Sequence, residues 1–227
     1  MRVGMMKILW MATALTLMGC EREIPFTVDR NNDDDEIQGY RIVGKLSDRI
    51  GNPLRDVAVS VFYDYVFVDD NAPPTKTYQV EQGSDTVVVQ VVDRKGFPLR
   101  VLFRDQISPG PLTVEWDEKD AVGNVAPSSV YHVQYLVRNE VKHSYPVTIS
   151  GRLVTYSDSL GQFTIPDDNL PIDFYPVPLS SSDGSRYLGN HRIIPYVTLR
   201  FTAEGINNGA YVSLIKNEIK RIEIKIS

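Results

Sequence analysis

From residue 40 onward, apolar and polar side chains alternate with a period of two, the pattern of strands that bury one face. Tyr40, Ile42, Gly44 and Leu46 fall on one face of the first run. Residues 47–53, with Gly51-Asn52-Pro53, carry turn chemistry. Val57, Val59, Val61, Tyr63, Tyr65 and Phe67 then line one face of a long strand. The alternation breaks over residues 69–75, where Pro73-Pro74 reads as a junction between domains. Further strands are predicted over 86–92, 98–103, 112–116 and 130–137. After a polar stretch at 138–144, strands resume over 151–156, 162–165, 196–203 and 219–226, the last with Ile222, Ile224 and Ile226 on one face. No window gives an amphipathic helix of twelve residues, so the chain reads as all-β.

Upstream of residue 40 the pattern is different. Arg2 and Lys7 form a basic start, and residues 8–18 form an apolar run. A membrane-spanning helix needs roughly 20 apolar residues, so this run reads as the core of a signal peptide. It ends in Leu17-Met18-Gly19-Cys20, which resembles the lipobox of bacterial lipoproteins. The resemblance implies removal of residues 1–19 and lipidation of Cys20, the single cysteine. The plainer alternative is a secretory signal cut after Gly19 that leaves Cys20 as an unpaired exported thiol. Two or more buried acyl chains would give stable anchoring. In lipoprotein families an aspartate after the cysteine tends to mean inner-membrane retention, so Glu21 favours the outer membrane. The expected place is therefore the bacterial cell envelope, with the outer membrane ahead of the inner.

Residues 20–37 read as a flexible acidic tether ending in Asn31-Asn32-Asp33-Asp34-Asp35-Glu36. Asp29, Asn31 and Asp33 alternate as in an EF-hand loop, but Asp34 and Tyr40 stand where that loop needs glycine and glutamate. Without residues 1–19 the formal charge moves from −5 to −7, because Arg2 and Lys7 leave with them. A mildly acidic chain without basic runs weighs against nucleic acid and anionic headgroups as partners. With Cys20 lipidated no disulfide can form, so stability has to come from one or two hydrophobic cores.

Residues 40–62 resemble the opening of a carboxypeptidase regulatory-like domain, a transthyretin-type (prealbumin-like) β-sandwich. Gly44, Leu46, Asp48, Gly51, Pro53, Leu54 and Val57 occupy the family's places, with Leu46 in place of the usual valine. The family's next turn is matched by Ser157-Asp158-Ser159-Leu160-Gly161-Gln162-Phe163, with serine for threonine. Between these pieces, residues 86–137 resemble the Ig-like domain of the flagellar hook-capping protein. Asp93, Gly96, Pro109-Gly110, Trp116-Asp117, Asp120, Gly123, Pro127 and Tyr131 carry that resemblance, while Glu118 and Ser129 depart from the usual glycines. Trp116 is expected to be a large buried anchor. The resemblances imply two β-sandwich domains, the Ig-like one (76–142) inserted into the carboxypeptidase regulatory-like one (38–72 and 143–227). The likeness is to an accessory β domain and not to a zinc peptidase, so it implies no catalysis.

His132, His143 and His191 form no metal-binding spacing, and there is neither a nucleophile elbow nor a phosphate loop. His132 is expected on the outward face of its strand. Asp117, Glu118 and Asp120 are the candidates for a Ca²⁺ site, the alternative being an aspartate-stabilised turn. Tyr175 and Tyr187 lie in the Pro- and Ser-rich residues 167–195, expected to be irregular, and are the candidates for glycan or peptide binding. The remaining tyrosines alternate inward in several strands and read as core. No cofactor and no enzymatic activity are expected. The expected partners are the membrane, through the N-terminal lipid, and an envelope protein, with no nucleic acid.

Overall fold

The computed structural model describes residues 38–81 and 85–226, and within them it is all-β with a single 3-10 turn. The fourteen strands are β1 (Tyr40–Ser47), β2 (Ala58–Asp69), β3 (Thr77–Val80), β4 (Thr86–Val92), β5 (Pro98–Gln106), β6 (Gly110–Thr113) and β7 (Ser129–Val137). They continue as β8 (Glu140–Ile149), β9 (Arg152–Tyr156), β10 (Gln162–Ile165), β11 (Val177–Ser180), β12 (Tyr187–Ala203), β13 (Ile206–Ser213) and β14 (Glu218–Lys225). Cys20 and the acidic stretch before Tyr40 lie outside the described residues.

The strands form four sheets. One has the order β10-β1-β14, with β14 parallel to β1. A second has the order β11-β12-β2-β9, and β13 joins it along the C-terminal half of β12. A third is the pair β3-β6, and the fourth has the order β5-β4-β7-β8. The alternating apolar faces close two hydrophobic clusters. One contains Ile42, Leu46, Val59, Val61, Phe163, Ile193, Leu199 and Phe201. The other contains Val87, Val89, Val91, Tyr131, Val133, Tyr135 and Tyr145. Gly44 keeps its place on the inner face of β1 because a Cβ there would sit 2.1 Å from the Phe163 ring.

One turn recurs four times, as Asp48–Asn52, Asp93–Phe97, Asp120–Asn124 and Asp158–Gln162. In each, the aspartate N–H donates to the carbonyl four residues on, at 2.8–3.0 Å, and a glycine N–H three residues on donates back to the aspartate carbonyl. Oδ1 of the aspartate accepts the N–H groups two and four residues on, at 2.8–3.0 Å. The glycine has positive φ in every case. This is a type I turn closed by a left-handed glycine, and the carboxylate replaces the partners that the bent backbone loses.

Several sequence expectations shift. The polar stretch 138–144 is a hairpin: Arg138 and Asn139 take positive φ and join β7 directly to β8. A two-residue turn of that kind needs left-handed residues, and an Arg-Asn pair gives only half the usual signal. β8 pairs with β7 throughout, and its Tyr145 and Ile149 belong to the second cluster, so the boundary expected at 142/143 falls inside a strand. Residues 167–195 are only partly irregular, since they hold the 3-10 turn Asp167–Asn169, β11 and the first part of β12, with residues 170–176 and 181–186 outside any element. The strand expected at 112–116 is β6, which ends at Thr113. Trp116 is only half-buried: its ring packs edge-on to Tyr131 at 5.1 Å and its Nε1 donates to the Lys119 carbonyl at 2.8 Å. Phe67 is exposed, because the apolar face of β2 runs out beyond Tyr63.

The 3-10 turn joins the sheets of both clusters. Asp167 Oδ1 accepts the Tyr40 N–H at 2.8 Å, and its carbonyl accepts Arg94 from the β4–β5 turn at 2.8 Å. Lys95 donates to Asp168 Oδ2 at 2.8 Å, and Ser129 of β7 donates to the Asp168 carbonyl. Asn169 donates to the Ser128 carbonyl at 2.8 Å while its own carbonyl accepts the Tyr63 hydroxyl at 3.0 Å. Ser128, fully buried, completes the joint by donating to the Val61 carbonyl and accepting the Arg152 N–H, both at 2.8 Å.

Candidate functional site

The three acids between β6 and β7 are separated by their partners. Asp117 pairs with Arg100 of β5 at 2.7 Å, and Glu118 with Arg152 of β9 at 2.9 Å. Asp120 spends both oxygens on its own turn, taking the Val122 and Asn124 N–H groups on Oδ1 and the Asn124 side chain on Oδ2. Desolvation pushes the Asp117 carboxyl up, but the hydrogen bond and charge of Arg100 outweigh it and leave the group below its ordinary value. For Asp120 the bonds from Asn124 outweigh desolvation in the same direction. Asp117 and Glu118 are paired with different arginines and Asp120 is held by its own turn, which is the arrangement of a turn and two ion pairs rather than of a converging oxygen cage. Among the described residues no cluster of three or more metal-ligating side chains occurs.

Tyr175 and Tyr187 do come together, through their hydroxyls. Tyr175 donates to Asp69 Oδ2 at the end of β2. Tyr187 bonds Asn190 Oδ1 at 2.6 Å and lies 3.0 Å from the Asn71 carbonyl. Asn190, buried, donates from Nδ2 to Asp69 Oδ1 at 2.9 Å and to the Asn71 carbonyl at 3.2 Å. The bonds from Tyr175 and Asn190 hold the Asp69 carboxyl below its ordinary value, and the same Asp69 contact raises the Tyr175 hydroxyl. The network pins residues 69–71 as the chain leaves β2. Its polar groups are turned on one another, so the two tyrosines act here as a clasp.

A second aromatic group stands on the solvent face of the β12–β13 pair. Tyr196 and Tyr211 stack with ring centroids 5.7 Å apart and planes 6° from parallel, and Tyr211 is 64% exposed. Beside them Arg200 lies over the Phe62 ring, 4.9 Å from its centroid. Tyr211 was not singled out in the sequence because β13, residues 206–213, carries an Asn-Asn-Gly run that masks its alternation.

The histidines are all engaged in packing. His132 is on the outward face of β7, as expected, but Phe174 covers it edge-on at 6.0 Å, and burial lowers its pKa below 6.5. His143 stacks on Tyr78 and touches the Thr75 carbonyl at 2.9 Å. His191 packs against Phe67 at 5.7 Å.

No family model matches the chain, and no solved structure matches it. A curated protein, leucine--tRNA ligase 1 of Sulfolobus acidocaldarius, is 26% identical over 126 residues, which are 50% of this chain and 13% of that protein. The chain thus spans about an eighth of the length of the curated relative it matches, and no activity, substrate or partner follows from so small a share.

Proposed function

We propose that the chain is a non-enzymatic, lipid-anchored protein of the bacterial cell envelope that presents two β-sandwich modules for protein–protein interaction or envelope assembly. The observation that carries this reading is Leu17-Met18-Gly19-Cys20 directly after a short apolar run with a basic start. The nested arrangement, an Ig-like sandwich inserted into a carboxypeptidase regulatory-like one, draws support from the two hydrophobic clusters. Apart from Val130 at the start of β7, the first is fed by strands on both sides, in sequence, of those that feed the second. Strand edges at β5, β13 and β14 that are unpaired among the described residues are surfaces a partner's strand could extend.

Trypsin would release Cys20-Glu21-Arg22 from the mature protein. Mass spectrometry of that peptide is expected to show a thioether-linked diacylglyceryl group, and Cys20→Ser is expected to free the protein from membranes. An unmodified cysteine, or a Cys20→Ser protein still held in the membrane fraction, would overturn the anchor. Affinity purification from solubilised envelopes tests the scaffold role, which fails if no partner rises above background.

One observation favours a second reading, binding of glycan or peptide. The stacked Tyr196–Tyr211 pair offers an exposed aromatic surface with Arg200 nearby, which moves the candidate from residues 167–195 to the β12–β13 face. Double substitution of both tyrosines by serine is the variant that would abolish such binding.

A further inference from the structure

We propose that the solvent face of the β10-β1-β14 sheet binds an extended acidic segment of a partner protein. The parallel register of β1 and β14 sets Arg41 beside Ile219, Val43 beside Arg221, Lys45 beside Glu223 and Ser47 beside Lys225, all on the face opposite Ile42 and Leu46. Successive outward positions along a strand are about 6.6 Å apart, and neighbouring strands about 4.8 Å. Arg41, Arg221, Lys45 and Lys225 therefore form a staggered ladder with one cation in each row, about 20 Å from end to end. None of the four is in an ion pair with another described residue.

This face has four cations against one carboxylate, Glu223, on a chain whose net charge is −5. A shallow cleft of about 300 Å³ runs between Lys45 and Gln162 on one side and Arg221 and Glu223 on the other. Its floor is the β1–β14 backbone at Gly44 and Ile222.

The row spacing is also the repeat of alternate side chains in an extended peptide, so a strand with acids at every second position meets a cation in each row. Glu223 shares the row of Lys45, and Gln162 offers hydrogen bonds on the other side of it. That pattern reads a shaped chain, whereas an anionic bilayer would gain from uniform positive charge. The ladder cannot be seen in the sequence, because its halves are about 180 residues apart and neither strand holds a basic run. The proposal rests on the protein-interaction reading for its partner and is independent of the lipid.

The test uses the purified full chain carrying Cys20→Ser and a fluorescein-labelled ten-residue peptide alternating glutamate and threonine. Its lysine–threonine counterpart and vesicles containing phosphatidylglycerol serve as the competing probes. Fluorescence anisotropy is expected to show binding of the acidic peptide at low ionic strength, weakening several-fold as salt rises to about 0.2 M. Arg41→Glu with Arg221→Glu is expected to weaken binding about tenfold, while Arg186→Glu with Arg192→Glu leaves it unchanged. The milder Arg41→Gln with Arg221→Gln, whose melting curve checks the fold, is expected to give a smaller loss in the same direction. Absence of acidic-peptide binding overturns the proposal, as does equal loss in the control pair. Vesicle binding without peptide binding also overturns it and assigns the face to the membrane. None of these outcomes bears on Cys20 lipidation or on partner recovery, so a failure here is distinguishable from failure of the functional reading.

Discussion

The two hydrophobic clusters use the same alternation and the same Asp-x-x-Gly turn, yet the chain assembles them in different ways. The second draws on β3 to β8, which are consecutive in sequence, with β4–β5 and β7–β8 as direct hairpins. The first pairs β1 with β14 and β2 with β12, so its contacts span most of the chain. Closing long loops costs entropy before any contact repays it, and long-range pairing slows folding. The proposed nested arrangement thus predicts that the second core forms from more local contacts than the first, which has to wait for the C-terminal strands. The turns differ likewise: Gly123 stands in open space, whereas a Cβ on Gly161 would lie 2.3 Å from the Leu46 carbonyl oxygen.

That contrast can be broken at four positions. Gly161→Ala adds backbone overlap to left-handed strain, and a loss of about 3 kcal/mol in urea unfolding is expected. Gly123→Ala, in the same turn without the overlap, is expected to cost about 1 kcal/mol; equal losses would mean that the Leu46 contact does not matter. Ser128→Ala removes the hydroxyl's bonds to Val61 and to the Arg152 backbone and is expected to cost about 2 kcal/mol. Trp116, the one tryptophan left once residues 1–19 are removed, reports the second core. After Ser128→Ala its fluorescence transition should separate from the far-UV transition of the whole chain. Tyr135→Phe, which strips the bonds to the Lys76 carbonyl and the Val114 N–H, is expected to cost about 1 kcal/mol in the second core alone.

The smallest effect concerns acid. Burial holds His132 below 6.5 in the folded state, so the folded protein binds a proton there less readily than the unfolded chain. Its contribution is present above pH 6.5 and is lost as the pH falls below it. His132→Gln should flatten the decline in melting temperature as the pH falls below 6.5, and an unchanged slope would count against burial by Phe174.

The same local and non-local division explains what could be read from the residues. The period-two faces of β1, β4, β7 and β14 were legible, because one buried face imposes alternation on the sequence. The turns at Asp93 and Asp158 were legible as well. The β7–β8 hairpin was hidden by a polar edge strand. The first part of β12 was hidden because Gly189, Asn190 and His191 interrupt the alternation while Asn190 serves the tyrosine clasp. The candidate sites divided in the same way. The Asp117-Glu118-Asp120 run looked like one feature because its residues are neighbours in sequence, yet Arg100 and Arg152 draw two of them apart. The Tyr196–Tyr211 pair and the cation ladder were out of reach, since cross-strand register creates them.

The proposed nesting requires that the second core be a self-sufficient unit interrupting the first. The direct test is the amide NMR spectrum of residues 75–150 expressed alone. A dispersed spectrum, with slow exchange in β4 and β7 and a cooperative Trp116 transition, is the expected result. A collapsed spectrum without protected amides would contradict it and make the two clusters halves of a single domain.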